Sequence, residues 1–211
     1  MLKLSIPTLN IHIGFDEPIK SIQIENIQTY REIYFNTESS LLLFDDLKEL
    51  NTSTFIEIIH DIYSIEINNR KNISGLYHYL EAFITMEDRD KLLTIESQLI
   101  NLIDNLSSVA DLSLDYATSL SFNQAFSVMK LSLEEPEKDN ILEYLLTYFK
   151  LLRTISKTRI IVTFNLFYLL TEQELNLLRH ELELHNLYLL NFNINIHTNN
   201  TLIIDSENSI F

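Results

Sequence analysis

The chain has 211 residues, 46% of them hydrophobic, no cysteine and a net charge of −15. That length allows one sizeable core with an appendage or two small domains, and the apolar content argues for a globular fold. Without cysteine there is no disulfide scaffold and no thiolate metal site, which fits a cytoplasmic protein, and the acidic balance argues against a nucleic-acid partner unless the few cations are gathered locally.

Both glycines are followed by bulky residues, Gly14 by Phe15 and Gly75 by Leu76. A phosphate-cradling loop needs two glycines and then Lys-Ser/Thr, so neither it nor a dinucleotide fingerprint can be built. The first twenty residues lack a continuous apolar stretch, so no signal peptide or membrane span is expected.

In chain order, Leu4 to Ile24 predicts two short strands joined through Asp16-Glu17-Pro18, with Ile22 and Ile24 alternating with Gln23 and Glu25. Ile27 to Phe35 predicts a helix, and Leu41 to Phe44 a buried strand. Asn51-Thr52-Ser53-Thr54 predicts the start of a helix with Phe55, Ile58, Ile59 and Ile62 on one face. Tyr63 to Asn68 then alternates like a strand.

The middle differs in kind. Ile73, Leu76, Leu80 and Phe83 recur at helical spacing. After Thr85, which with Asp88 approximates a capping box, Leu92, Ile95, Leu99, Leu102, Leu106 and Val109 step by threes and fours, the a/d seam of a helix pair. Two such stretches in succession predict a helical hairpin, residues 69–109, projecting from an α/β head of residues 1–68 and 110–211 and zipped along that seam. Phe122 to Met129 predicts a short helix and Lys130 to Leu133 a strand. Pro136 suits the first turn of a helix running to about Ile155.

Ile160-Ile161-Val162 reads as a strand covered on both faces, followed by a turn at Asn165. Thr171-Glu172-Gln173-Glu174 has capping-box spacing, and Leu175, Leu178, Leu182 and His185 then share a helical face. Leu187 to Leu190 begins the next strand. A strand, a helix and a strand in about thirty residues form one βαβ unit, so the sheet is expected to be mainly parallel. Leu202-Ile203-Ile204 predicts a last strand.

Several segments invite chemistry. His180-Glu181-Leu182-Glu183-Leu184-His185 has its histidines five apart, about 140° round a helix, where a shared zinc needs four. Asp46-Leu47-Lys48 matches one element of nuclease motifs but reads as a solvated turn. Asp115, Glu134, Glu135 and Glu137 are the best candidates for a hard divalent cation, with a helix N-terminus favouring nearby glutamates as the alternative. Lys130, Lys150, Arg153, Lys157 and Arg159 fall in one region, with Arg70 and Lys71 at the start of the hairpin. Lys150, Arg153 and Lys157 have spacings that let one helix face present them together, either to solvent or to phosphates.

Val162-Thr163-Phe164-Asn165-Leu166-Phe167-Tyr168-Leu169-Leu170-Thr171 resembles the strand, Asn turn and aromatic-Leu-Thr approach of one family. That family is the type II-A CRISPR-associated protein of spacer acquisition, second of the Csn proteins. Asp16-Glu17-Pro18-Ile19 resembles its D-E-P-I, Leu112-Ser113-Leu114-Asp115-Tyr116 its L-x-L-acid-Tyr, and Lys130-Leu131-Ser132-Leu133-Glu134 its K-V-E ending, all in the family's order. The resemblance implies a nucleotide-binding-like head that lost its phosphate loop, with an α-helical leg. It also implies a homotetrameric ring that holds double-stranded DNA ends without cutting them, structural calcium at Asp115 and Glu134, and partnership with the integrase and effector nuclease. Where the family often has further acids after the tyrosine, this chain has Ala117-Thr118-Ser119. The alternatives from the residues are an acidic α/β scaffold that binds only proteins, or a divalent-metal nuclease using the same acids.

Overall fold

The computed structural model describes residues 2–110, 113–194, 201–205, 207 and 209. The chain forms two compact units, residues 1–67 with 135–211 and residues 68–134. The hairpin expected over 69–109 lies inside the second.

The first unit is mixed α/β. Its first part contains β1 (Leu2–Ile6), β2 (Ile11–Gly14), β3 (Ile19–Ile24), α1 (Ile27–Phe35), the single turn α2 (Thr37–Ser40), β4 (Leu42–Asp45), β5 (Lys48–Leu50), the single turn α3 (Thr52–Phe55) and β6 (Ile56–Ile59). The chain then enters the helical unit, with α4 (Arg70–Glu81), α5 (Met86–Ala110) and α6 (Phe122–Val128). It returns as α7 (Ile141–Ile155), β7 (Ile160–Phe164), α8 (Glu172–His185), β8 (Tyr188–Asn193) and β9 (Thr201–Ile204).

Five strands form a parallel sheet in the order β6-β7-β8-β3-β9, and four form an antiparallel sheet in the order β2-β1-β4-β5. The expected βαβ unit is β7-α8-β8, with Ile160 opposite Tyr188 and Phe164 opposite Phe192. Alternation along β7 sends Ile160, Val162 and Phe164 into one core with Leu4, Ile6 and Leu43 of the antiparallel sheet and Tyr30 and Ile33 of α1. Ile161 and Thr163 face the opposite side, and both are fully buried. On that side the Tyr148 hydroxyl of α7 donates to Glu57 of β6 at 2.6 Å. A strand with a packed layer on each face has no need of polar alternation, which is why β7 reads as a continuous apolar run.

Caps set the helix limits. The Thr171 hydroxyl accepts from the Glu174 N–H at 3.3 Å, and Glu174 accepts from the Thr171 N–H at 2.7 Å. At the far end of α8, Asn186 takes the left-handed conformation at φ 52° and Leu187 N–H donates to Leu182 O at 2.9 Å. Leu182 and Leu187 are both buried, so the chain reversal is sealed by an apolar contact. Thr85 and Asp88 make the box expected before α5.

Five expectations are corrected. The segment from Leu4 to Ile24 holds three strands rather than two, shared between the two sheets, and Gln23 in the last is buried instead of facing solvent. The helix expected after Asn51 is a single turn, and Ile56–Ile59 pairs with β7 instead. Isoleucines at 56, 58 and 59 fit both periods, and β-branching on a sheet edge decides for the strand. Tyr63 to Asn68 is no strand; Ile62–Ser64 is a 3-10 turn capped by Asp61. Lys130 to Leu133 is no strand either: Lys130 sits at φ 51°, closing α6 as Leu131 N–H donates to Phe126 O at 2.9 Å. The helix after Pro136 begins only at Ile141, because Asn140 accepts from Glu143 N–H and so sets the cap four residues later.

Candidate functional site

The acids and cations singled out above are divided between the units. Asp115, Glu134, Lys130, Arg70 and Lys71 belong to the helical unit, and Glu135, Glu137, Lys150, Arg153 and Lys157 to the α/β unit. Asp115 lies in an irregular segment and is exposed; Leu112 of the same motif lies outside the described residues. Glu134 follows a well-anchored stretch. Asn68 accepts from Leu133 N–H and donates to Leu133 O, both at 2.9 Å, so one side-chain amide mimics a strand partner. Tyr77 donates to Leu131 O at 3.0 Å. Glu134, Glu135 and Glu137 are all exposed.

A hard cation such as calcium takes about six to eight oxygens. Among the described residues, no three Asp, Glu or His side chains are grouped so as to hold a metal ion.

The cations are also unequal. Lys150, Lys157, Arg70, Lys71 and Lys130 are exposed. Arg153 is not a free cation: its Nε donates to His185 O at 3.0 Å, tying α7 to the end of α8. Lys157 lies beyond Ile155, where α7 ends and Ser156 turns extended, so helical spacing does not place it with Lys150.

The two rejected motifs are ordinary structure. Asp46 and Leu47 form the tip of the β4–β5 hairpin, with Asp45 opposite Lys48, Asp46 at φ 53° and Leu47 fully exposed. His185 lies 3.6 Å from Glu181, one turn along α8.

The feature that spacing alone could not place is the outer face of α5. No residue of this 25-residue helix is buried. The seam expected to zip against α4 is open instead: Leu99 is 44% exposed, Leu102 54%, Leu106 56% and Val109 87%. Half-burial falls on another face, through Leu92, Glu96, Ile100, Ile103 and Ser107. Between Leu92 and Ala110 the helix has only two charged residues, Glu96 and Asp104. Both lie off the open stripe and both are engaged, Glu96 by Leu120 N–H at 2.8 Å and Asp104 by the Tyr116 hydroxyl. The open stripe is thus apolar, with Thr94, Gln98, Asn101 and Asn105 beside it. A monomer does not bury such a face, and interface cores lack charge in this way. Shallow apolar grooves flank the helix near its start, one of about 470 Å³ lined by Phe83, Leu92, Phe122 and Phe126 among others.

In open α/β sheets, ligands bind beyond the carboxyl ends of the strands. Here that edge is occupied by the protein's own groups. The Thr163 hydroxyl donates to Asn191 at 2.9 Å, Asn191 to Asn193 at 2.6 Å and Asn193 to Ser21 at 2.7 Å, all buried. Where β3 leads into α1, Glu25 N–H donates to Ile204 O and the Asn26 side chain accepts from Gln28 and Thr29 N–H. Amides that would cradle a phosphate are therefore used by a cap. Asn165, at φ 54°, donates to the Tyr30 hydroxyl at 2.8 Å and accepts from Ile194 N–H at 3.1 Å. Burial pushes the Tyr30 phenol up to about 12, so it stays neutral.

The model of the family described as CRISPR-associated protein (Cas_Csn2) matches residues 33–208. A comparison with curated proteins found no match.

Proposed function

Because the chain belongs to the Cas_Csn2 family of CRISPR-associated proteins, we propose that it serves spacer acquisition as a non-catalytic, self-assembling holder of double-stranded DNA ends. The observation that carries this reading is the open stripe of α5. In a chain of net charge −15, two copies repel wherever their general surfaces meet. The outer half of α5 is where two copies meet without opposing charges and bury apolar area. Four subunits closed into a ring present Lys150, Lys157, Lys130, Arg70 and Lys71 several times over. A duplex inside would be gripped through its phosphates, without reading bases and with marked salt dependence. The integrase and effector nuclease of the same system would then meet an end already held. No reaction is assigned to any residue.

One experiment tests the whole. Leu99→Asn with Leu102→Asn is expected to convert a tetramer into single chains by light-scattering mass. The same change is expected to abolish the gel shift of linear duplex, while closed circles bind poorly even to the native chain. Lys150→Glu with Lys157→Glu should keep the mass and lose the shift. Calcium enters from the resemblance alone, and adding it is expected to shift the association midpoint, with a chelator reversing that. Native chains that stay single with or without calcium would overturn the ring.

A second reading, a scaffold that binds only proteins, is favoured by the division of the few cations between two units. It wins if the native tetramer forms and shifts no DNA.

A further inference from the structure

Gln23 of β3 is 1% exposed, and its Oε1 has no hydrogen-bond partner among the described residues. A buried carbonyl left unpaired lowers stability outright. The Gln23 side chain leaves the sheet on the face that also carries Ser21, Asn193, Asn191 and Thr163, since Ile22 and Ile24 point into the opposite core. Along that face runs the buried polar row described above, and one backbone group fixes its polarity. Leu166 N–H donates to Asn191 Oδ1 at 3.1 Å, which sets the orientation of that amide. Asn191 Nδ2 must then donate to Asn193 Oδ1, and Asn193 Nδ2 to the Ser21 hydroxyl oxygen at 2.7 Å. Each member passes a hydrogen on in the same direction. The row ends at Ser21, whose own hydroxyl hydrogen meets no acceptor among the described residues.

Two unmet needs thus lie two residues apart on one strand face, a donor at Ser21 and an acceptor at Gln23. Residues so placed stand about 7 Å apart at their Cα atoms. One oxygen bridges such a gap with hydrogen bonds of about 2.8 Å to each side chain. The bridging group must accept from Ser21 and donate to Gln23. A metal cation offers no lone pair to Ser21, a fully ionised anion offers no hydrogen to Gln23, and water offers both. Asn193 lies opposite Gln23 in the register and has a second amide hydrogen, which can supply the third partner usual for a buried water. Ser21 also lines a cleft of about 600 Å³ with Lys20, Thr201 and Leu202, so solvent reaches the end of the row. We propose that a single buried water between Ser21 and Gln23 completes the row, joining β7, β8 and β3 by one hydrogen-bonded chain from Thr163 to Gln23. The water belongs to the single chain and is independent of the association of copies.

A crystal structure of the full native chain, at a resolution that shows ordered water, should contain one density peak within about 3.2 Å of both Gln23 Oε1 and Ser21 Oγ. In solution, Gln23→Met keeps the length of the side chain and removes the acceptor. It is expected to lower the thermal midpoint by about 3 °C. Ser21→Ala, which also strands the Asn193 amide, should lower it further. Adding Gln23→Met to Ser21→Ala should then cost little more, because the bridge is already lost. With no water bound, Gln23→Met removes an unpaired carbonyl and raises the midpoint instead. A raised midpoint in Gln23→Met, losses that simply add in the double variant, or a map with no peak between the two side chains would each overturn the bridge. The crystal reads the native chain, so it decides even where a variant fails to fold.

Discussion

Thr171 and Glu174 show how few atoms set the course of α8. Each satisfies a donor that the first helical turn leaves without an intrahelical partner. Thr171→Ala is expected to cost about 1 kcal/mol in urea unfolding at neutral pH. The Thr171 N–H and then its hydroxyl hold the Glu174 carboxyl below its usual range, and the Thr85 hydroxyl and then its N–H do the same for Asp88. Depressed carboxyls contribute stability that is present above the ordinary carboxylate pKa and lost as pH falls through the folded value. The difference between the native chain and Glu174→Ala should therefore be full at neutral pH and shrink below about pH 4. Other single residues turned out to have a different use from the one their spacing suggests. Arg153, spaced like a phosphate contact, closes the end of α8 through His185 O. Spacing does not reveal which cation already has a carbonyl to bind.

At the scale of elements, the row linking β7, β8 and β3 is a commitment of the fold. Asn191 is fully buried and accepts from both the Thr163 hydroxyl and Leu166 N–H while donating to Asn193. Asn191→Ala strands several buried polar groups together and is expected to cost about 3 kcal/mol in chemical denaturation. Elements with their own local signals were legible in the sequence. β7, α8 and β8 declare themselves through a β-branched run, a capping box and a renewed apolar run, and α1 through its helical periodicity. Elements whose identity depends on distant neighbours were not. Ile56–Ile59 becomes a strand because β7, about a hundred residues later in sequence, lies beside it. α5 has two apolar faces, and spacing alone cannot tell which one its own chain covers. The acids near 134 were legible as a cluster in sequence, but Asn140 moves the helix start away from them.

For the whole molecule, charge should act in opposite directions on two processes. Association of copies at net charge −15 is opposed by long-range repulsion, which salt screens over about 10 Å at 0.1 M. Binding to duplex DNA releases counterions and weakens as salt rises. Going from about 50 to about 200 mM salt should therefore tighten self-association in sedimentation equilibrium and loosen the DNA complex in a gel shift. A rise or fall shared by both would place the two on one surface. The split of the α/β unit into residues 1–67 and 135–211 also bears on synthesis. β3 emerges from the ribosome early, but its sheet neighbours are β8 and β9, the last strands in chain order among the described residues. β1, β2, β4 and β5 can pair among themselves, but β3 and β6 must wait with their sheet-forming backbone groups unpaired while the helical insertion and β7 to β9 are made. A pause or truncation before Tyr188 would leave an aggregation-prone half-sheet rather than a smaller working protein.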